Sequence, residues 1–246
     1  MDLNDFVIEP QKPWAQTKKQ PKIADALGYS PVIVFCIPGR QFSSAFLDCW
    51  TRTVGWCFNE SIKFVFSNGY SSMIHYARSK CLGANVLNGK NQKPFNDEIA
   101  YTHLMWIDSD MFWNPEQIGS LLLRKEKVVS GLYSHGQDGN FTVFKNCNDD
   151  YFIKNGSYEL MKRDEVKDKT DLIEIDYAGL GFMLIAKGVV ESLEYPWFTS
   201  MEKEIGNNIK DLSSEDATFC FRIKEQGFKI FVDPTIIVGH EKTIFV

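Results

Sequence analysis

The triplet Asp108-Ser109-Asp110 breaks into an otherwise apolar run, THLMWIDSDMFW, residues 102–113. Carboxylates are costly to bury without partners, so two of them between large apolar side chains call for something that neutralises them. A divalent cation is the natural candidate. Strand side chains alternate, so Asp108 and Asp110 point to one side. One of them can touch a cation while the other reaches it through water or the Ser109 hydroxyl. Mg²⁺ and Mn²⁺ favour oxygen ligands, and Mg²⁺ sites often combine one or two carboxylates with substrate phosphates. The competing reading of the bare triplet is a turn whose aspartates only accept backbone hydrogen bonds.

Other residues suited to chemistry are spread along the chain. Pro38-Gly39-Arg40 follows an apolar run, where a glycine lets backbone approach a ligand and an arginine can meet a base or phosphate. His75 and Arg78 are three apart, on one face of an expected helix. Gly179 and Gly181 bracket Leu180 ahead of the run FMLIA, which allows either a close-lying ligand or a β-bulge. Ser213-Ser214-Glu215-Asp216 opens an amphipathic stretch, so capping competes with chemistry for the two acids. If a serine caps that helix, Asp216 is left for catalysis. His240 stands alone near the end, and a lone histidine is usually structural. Trp197-Phe198, after Tyr195-Pro196, offers a stacking face for a sugar.

These residues need elements to position them. VIVFCI (32–37), bounded by prolines, is expected to be a buried first strand, and residues 42–54 a helix. A second strand is expected at 62–67 and a second helix at 71–82. THLMWID (102–108) gives a third strand and 115–123 a third helix, opened by Asn114-Pro115 as N-cap and first-turn proline. KVVSGLYS (127–134) gives a fourth strand. Alternating strands and helices imply a mostly parallel sheet covered on both faces, with ligands at the carboxyl ends of its strands. Residues 148–176 are rich in charge and turn formers and are expected to form short antiparallel strands. Then come a strand feeding a helix (178–193), a helix ended by Gly227, and a strand pair over 228–240.

At 246 residues the chain is long enough to bury a large core. Its net charge of −5 argues against nucleic acid as the main partner. It has no apolar run long enough to span a membrane and no signal-peptide pattern at its start, which predicts a cytoplasmic protein. The six cysteines include no CxxC pair, so buried reduced thiols are expected. Residues 1–28 read as a surface arm, 29–134 as a nucleotide-binding half and 135–246 as an acceptor-side half of a single domain.

The ordered set IPGR, SMIHYARS, WIDSDMFWNP, VVSGLY, AGLGFMLI, SEDATFCFRIKEQGFKIFVDP and a final GH resembles a GT-A glycosyltransferase of the family-2 type found in bacteria, phages and large DNA viruses. The resemblance covers residues 31–240. It implies an α/β GT-A fold, Rossmann-like, with a mostly parallel central sheet and a small antiparallel acceptor-side portion. It also implies a nucleotide-diphosphate sugar donor of the UDP or GDP type, a glycan or glycosylated acceptor, and Mn²⁺ or Mg²⁺. By the same resemblance the Pro38–Arg40 loop lies against the nucleotide, Arg78 approaches the donor diphosphate, and Gly179 and Gly181 lie beside the donor sugar. Asp216, with Glu215, would supply the catalytic base of an inverting transfer, and His240 would join Asp108 and Asp110 at the metal. Similar enzymes carry asparagine where this chain has Ser79.

Three other classes compete. A haloacid-dehalogenase-like phosphatase also uses DxD at a strand end, but normally has Thr or Val where Phe112 stands. A nucleotidyltransferase would want a glycine-rich, lysine-bearing loop after the first strand, which PGRQFSS does not supply. A non-catalytic nucleotide-sugar-binding module would have no use for the full set Asp108, Asp110, Asp216 and His240.

Overall fold

A computed structural model of the chain describes residues 21–136 and 139–242. The expected arm over residues 1–28 lies mostly outside them. A seven-stranded sheet with helices on both faces forms the centre. In space its strands run β2 (Lys63–Gly69), β1 (Val32–Pro38), β3 (His103–Ile107), β9 (Phe182–Ala186), β5 (Val128–Leu132), β12 (Ile230–Ile237) and β7 (Ile173–Ile175). Neighbours β2, β1 and β3 are parallel, as are β5 and β12, while β9 and β7 run against their neighbours. The sheet is therefore mixed but mostly parallel, as the alternating sequence pattern predicts.

Side-chain alternation along the central strands feeds two cores. Ile33, Phe35, Ile37, Met105 and Ile107 face α2 (Ser44–Glu60) and α4 (Pro115–Leu123), meeting Phe46, Cys49, Ile118 and Leu122. Val34, Cys36, Leu104 and Trp106 face the other way, toward Cys81 at the end of α3 (Ile74–Cys81) and Phe219, Cys220 and Ile223 of α7 (Glu215–Glu225). Helix α4 begins at the expected proline, with the Asn114 side chain and Gln117 closing a capping box. All six cysteines are free, and all but Cys147 are buried.

The second half departs from expectation in three places. Residues 148–176 form two short helices, α5 (Asp149–Asn155) and α6 (Arg163–Val166), before the three-residue β7. Asn148 caps α5 through the Tyr151 N–H and Gly156 ends it in the left-handed conformation, local signals that outweigh the strand reading. Strand β9 is followed by a single 3₁₀ turn, Val190–Ser192, rather than a helix. The expected strand pair at the end is one strand, β12, whose pairing with β5 is interrupted after Val232, plus the short β13 (Gly239–His240).

Among the described residues no helix is long and apolar enough to cross a membrane.

Candidate active site

Because β1, β2 and β3 are parallel and Pro38 pairs with Gly69, their carboxyl ends form one rim. Three loops meet there. The Pro38–Arg40 loop leaves β1, and Gly39, at φ +151, packs so closely on Ser109 that a Cβ would sit 2.8 Å from the serine Cβ. Gly39 thus brings the first loop against the Asp108–Asp110 element itself. Arg40 lies over the Tyr70 ring at 5.1 Å. At the end of β2, a Cβ on Gly69 would meet the Ala77 carbonyl oxygen at 2.5 Å, so the glycine lets α3 sit directly on the strand end.

That seating drives Arg78 inward. It is 3% exposed, lies 5.6 Å from the centre of the Trp106 ring, and spends its guanidinium on two carboxylates. Nη1 and Nη2 donate to the two oxygens of Asp108 at 3.0 and 3.2 Å, and Nε donates to Glu215 Oε1 at 3.1 Å. Burial works against the guanidinium charge, but Asp108 and then Glu215 outweigh it and raise the pKa further. Arg78 is therefore not turned toward open space for a diphosphate, as the resemblance implies. It is the clamp that holds both Asp108 and Glu215, the latter 137 residues away from it in sequence.

Asp110 is joined to a different partner. Strand β13 pairs antiparallel with β4 (Met111–Phe112), setting His240 opposite Met111. A Cβ on Gly239 would come 2.7 Å from Phe112, so a glycine is needed for that pairing. His240 Nε2 then lies 3.0 Å from Asp110 Oδ2, and Nδ1 lies 2.8 Å from the Ser134 carbonyl. Both ring nitrogens face oxygen acceptors, and a neutral imidazole can donate to only one of them. The ring must either carry two protons or offer the Nε2 lone pair to a cation shared with Asp110. Asp110 accordingly raises the His240 pKa above the ordinary value. Burial would lift the Asp110 pKa, but the His240 hydrogen bond and charge outweigh it and hold the carboxyl below its usual range.

Of the expected metal ligands, Asp110 and His240 meet, whereas Asp108 is turned to Arg78. Among the described residues no three His, Cys, Asp or Glu side chains converge as a ready ligand cluster. The Asp110–His240 pair could nonetheless hold a divalent cation: with Nδ1–H donated to the Ser134 carbonyl, the Nε2 lone pair and the Asp110 carboxylate face one another.

Asp216 lies at the first turn of α7. Ser214 is the N-cap, as expected, with its hydroxyl 3.4 Å from the Ala217 N–H. Asp216 Oδ1 takes that same N–H at 2.8 Å and also accepts from the Ser214 hydroxyl, so Asp216 shares in the cap. Its other oxygen, Oδ2, accepts from Tyr177 Oη at 3.0 Å. Tyr177 is placed by the pairing of β8 (Tyr177–Ala178) with β6 (Val143–Phe144). Burial and the Asp216 charge push the tyrosine pKa up, so it stays a donor.

Gly179 and Gly181 accommodate a bulky group, though that group is the chain's own Tyr133. A Cβ on Gly179 would lie 2.0 Å from Tyr133 Oη, and one on Gly181 would lie 2.8 Å from its Cζ. The buried phenol accepts the Gly181 N–H at 3.1 Å and meets the His240 ring edge-on at 5.3 Å. Burial, then the charges of Asp108 and Asp216, hold its pKa well above the usual value. Trp197 and Phe198 are 0% and 1% exposed, so they cannot stack on a sugar. The Phe198 ring instead packs on Trp106 at 5.2 Å, because the apolar floor beneath Arg78 claims it. His75 is half-buried, with its ring against Tyr76.

Tyr133 and Tyr177 are the parts that sequence reasoning missed. Tyr133 ends the VVSGLY segment and Tyr177 directly precedes AGLGF, so a tyrosine beside each glycine-bearing segment was the available signal.

No protein-family model matches the chain, and no curated protein matches it. Solved structures do. A197 from STIV superposes with a TM-score of 0.51 over 87% of this chain and 86% of its own, at 16% identity. GalNAc-T7 with UDP, GalNAc and Mn²⁺ gives 0.47 over 87% of this chain at 12% identity, with this chain spanning 44% of that protein. The inositol-1-phosphate CTP transferase from T. maritima gives 0.40 over 86% and 89%, at 13% identity. At these identities the likeness concerns the fold alone, a mixed α/β architecture. The residues of the rim must therefore decide between glycosyl transfer and the nucleotidyl transfer weighed from the sequence.

Proposed function

We propose that this chain is a nucleotide-sugar-dependent glycosyltransferase that acts with inversion. The observation that carries the reading is the Arg78 clamp. It joins Asp108 at the end of β3 to Glu215 at the start of α7, and the next residue of that helix, Asp216, is a hydrogen-bonded carboxylate.

A positioned carboxylate separates the two transfer classes. A sugar hydroxyl must lose a proton as it attacks, so glycosyl transfer by direct displacement benefits from a general base. A phosphate-monoester acceptor is already an anion and needs none. Asp216 would take the acceptor proton as the hydroxyl oxygen bonds to the anomeric carbon and the bond from that carbon to the diphosphate oxygen breaks. The Tyr177 and Ser214 hydroxyls and the Ala217 N–H fix the orientation of the carboxylate. Attack opposite the leaving group inverts the anomeric centre.

On the donor side, Asp108, Ser109 and the Pro38–Arg40 loop would hold the nucleotide, with Asp108 aimed by Arg78. Gly179 and Gly181 would shape the wall next to the donor sugar through the Tyr133 ring they seat. Asp110 and His240 would hold Mn²⁺ or Mg²⁺, which when bound neutralises charge on the diphosphate. A nitrogen ligand beside the carboxylate favours Mn²⁺. Residues 29–134 would carry the nucleotide and 135–246 the acceptor.

The test is a panel of UDP- and GDP-sugars incubated with MnCl₂ and the full chain, followed by nucleoside diphosphate release. Slow hydrolysis of one donor, lost with chelator, is the expected result. A chain that instead condenses a nucleoside triphosphate with a sugar phosphate and releases pyrophosphate would be a nucleotidyltransferase.

A further inference from the structure

The expected sugar-stacking pair at Trp197-Phe198 is buried, yet a second aromatic surface opens next to Asp216. It is a groove between α7 and the hairpin of β10 (Glu202–Gly206) and β11 (Ile209–Leu212). Asn207 and Asn208, both at positive φ, make the two-residue turn of that hairpin. The groove is lined by the half-buried Phe144 and Phe221 rings, with the Tyr158 ring buried beneath Lys203 and with Asp211 and Ser213 in the same lining. It runs toward the candidate base by a continuous contact path. Tyr158 packs on Phe144 at 5.5 Å, Phe144 on Tyr177 at 4.6 Å, and Tyr177 donates to Asp216. Ser214 and Ala217, both hydrogen-bonded to Asp216, line the groove as well.

One charged group is built into this surface. Lys203 Nζ lies 4.8 Å from the Tyr158 ring centre and 5.2 Å from that of Phe221. It donates to Asp149 Oδ1 at 3.1 Å and to the Tyr158 hydroxyl, which in turn donates to Asp149 at 2.6 Å. Those bonds use two of its three N–H groups and fix the ammonium in place. Ring faces, a fixed donor and a carboxylate edge thus alternate within a few ångströms.

We propose that this groove binds a saccharide acceptor, so that the transfer read above joins sugar to sugar. A pyranose offers what the groove asks for: an apolar C–H face for the rings and an edge of hydroxyls for Lys203, Asp211 and Ser213. An acyl chain would desolvate Lys203 and Asp211 without returning hydrogen bonds. The reaction assigned to the groove rests on the glycosyltransferase reading, but its ligand does not, and binding is measured without any donor.

Methyl glucoside, methyl N-acetylglucosaminide, lactose and maltose serve as probes for the full chain with labelled Ile and Leu methyl groups. At least one saccharide should shift the signals of Ile205 and Leu212, which line the groove. Phe221→Leu keeps an apolar side chain but removes the ring face, and should weaken that saccharide about fivefold to tenfold. Phe221→Leu at wild-type affinity, shifts confined to other methyl groups, or no response to any of the four sugars would each overturn the proposal. So would binding of dodecyl maltoside without binding of maltose, which would make the groove a lipid site. Saccharide binding in a chain that hydrolyses no nucleotide sugar would leave the groove standing and remove the glycosyltransferase reading.

Discussion

Arg78 holds both oxygens of Asp108, at 3.0 and 3.2 Å, while being 3% exposed, so the DxD element is locked from behind by a buried cation. Removing the arginine strands Asp108 and Glu215 without their shared partner. Breaking a buried ion pair from one side costs about 3–5 kcal/mol, far more than an exposed pair is worth. Arg78→Ala is therefore expected to lower the urea midpoint sharply. Adding Asp108→Asn and Glu215→Gln to Arg78→Ala should recover part of the loss, because no charge is then left alone. A triple variant no more stable than the single one would place the cost in packing against Trp106 instead.

The Asp110–His240 pair makes a separate prediction about metal. A ligand that binds only the folded chain raises its melting temperature by mass action. MnCl₂ is expected to raise the Tm of the wild-type chain, and Asp110→Ala and His240→Ala should each abolish most of that rise. Both side chains are partly exposed, so the variants should still fold. An undiminished Mn²⁺ shift in both would move the cation elsewhere on the rim.

Asp233 on β12 gives the chain an acid-sensitive point of its own. Its side chain is fully buried, accepting from Arg124 Nε at 2.7 Å and from the Thr235 N–H and hydroxyl. Burial alone would raise its pKa, but the Arg124 and Thr235 bonds outweigh that and set it below the ordinary value. A carboxyl whose pKa is lowered on folding stabilises the chain above its unfolded pKa, near 3.9, and loses that contribution as pH falls through the lower folded value. The stability gap between wild type and Asp233→Asn should thus be constant above about pH 5 and shrink below about pH 4. A gap that widens on acidification would contradict the sign.

How much of this was legible in the sequence differs by element. The first-half strands and α4 were readable because apolar period and terminal signals agree there, as at Asn114-Pro115. The α5–α6 segment was misread because charge and turn residues suit short helices as well as short strands, and only the Asn148 cap and Gly156 decide it. At the site, Asp110 and His240 could be paired from the family resemblance. The Arg78–Glu215 contact could not, since it depends on Gly69 seating α3 on a strand end. Gly179 and Gly181 read in the sequence as room for a bulky ligand, but the group packed on them is Tyr133, just past the end of β5, whose neighbour in the sheet is set only by the full topology. Trp197 and Phe198 look alike in sequence whether they stack on a ligand or on Trp106; burial alone tells them apart.

The decisive substitution is Asp216→Asn. Asp216 shares the cap of α7 with Ser214, through its Oδ1 on the Ala217 N–H. Asn is about as good a capping residue as Asp, and its carbonyl oxygen can take the same N–H, so helix and fold should survive with little loss of stability. The Tyr177 bond tells more. Oδ2 accepts from the phenol, and an amide nitrogen in that place is a donor facing a donor unless the hydroxyl turns round to accept. What the variant cannot do is accept the proton of an attacking hydroxyl. Transfer should then fall by about 10²-fold or more, the usual worth of general-base help, with donor and Mn²⁺ affinity nearly unchanged. Tyr177→Phe, which removes the orienting hydroxyl but keeps the carboxylate, should cost less than Asp216→Asn. An Asp216→Asn chain that keeps most of its transfer rate would return Asp216 to a capping role, and a product with the donor's anomeric configuration would rule out direct displacement with this base.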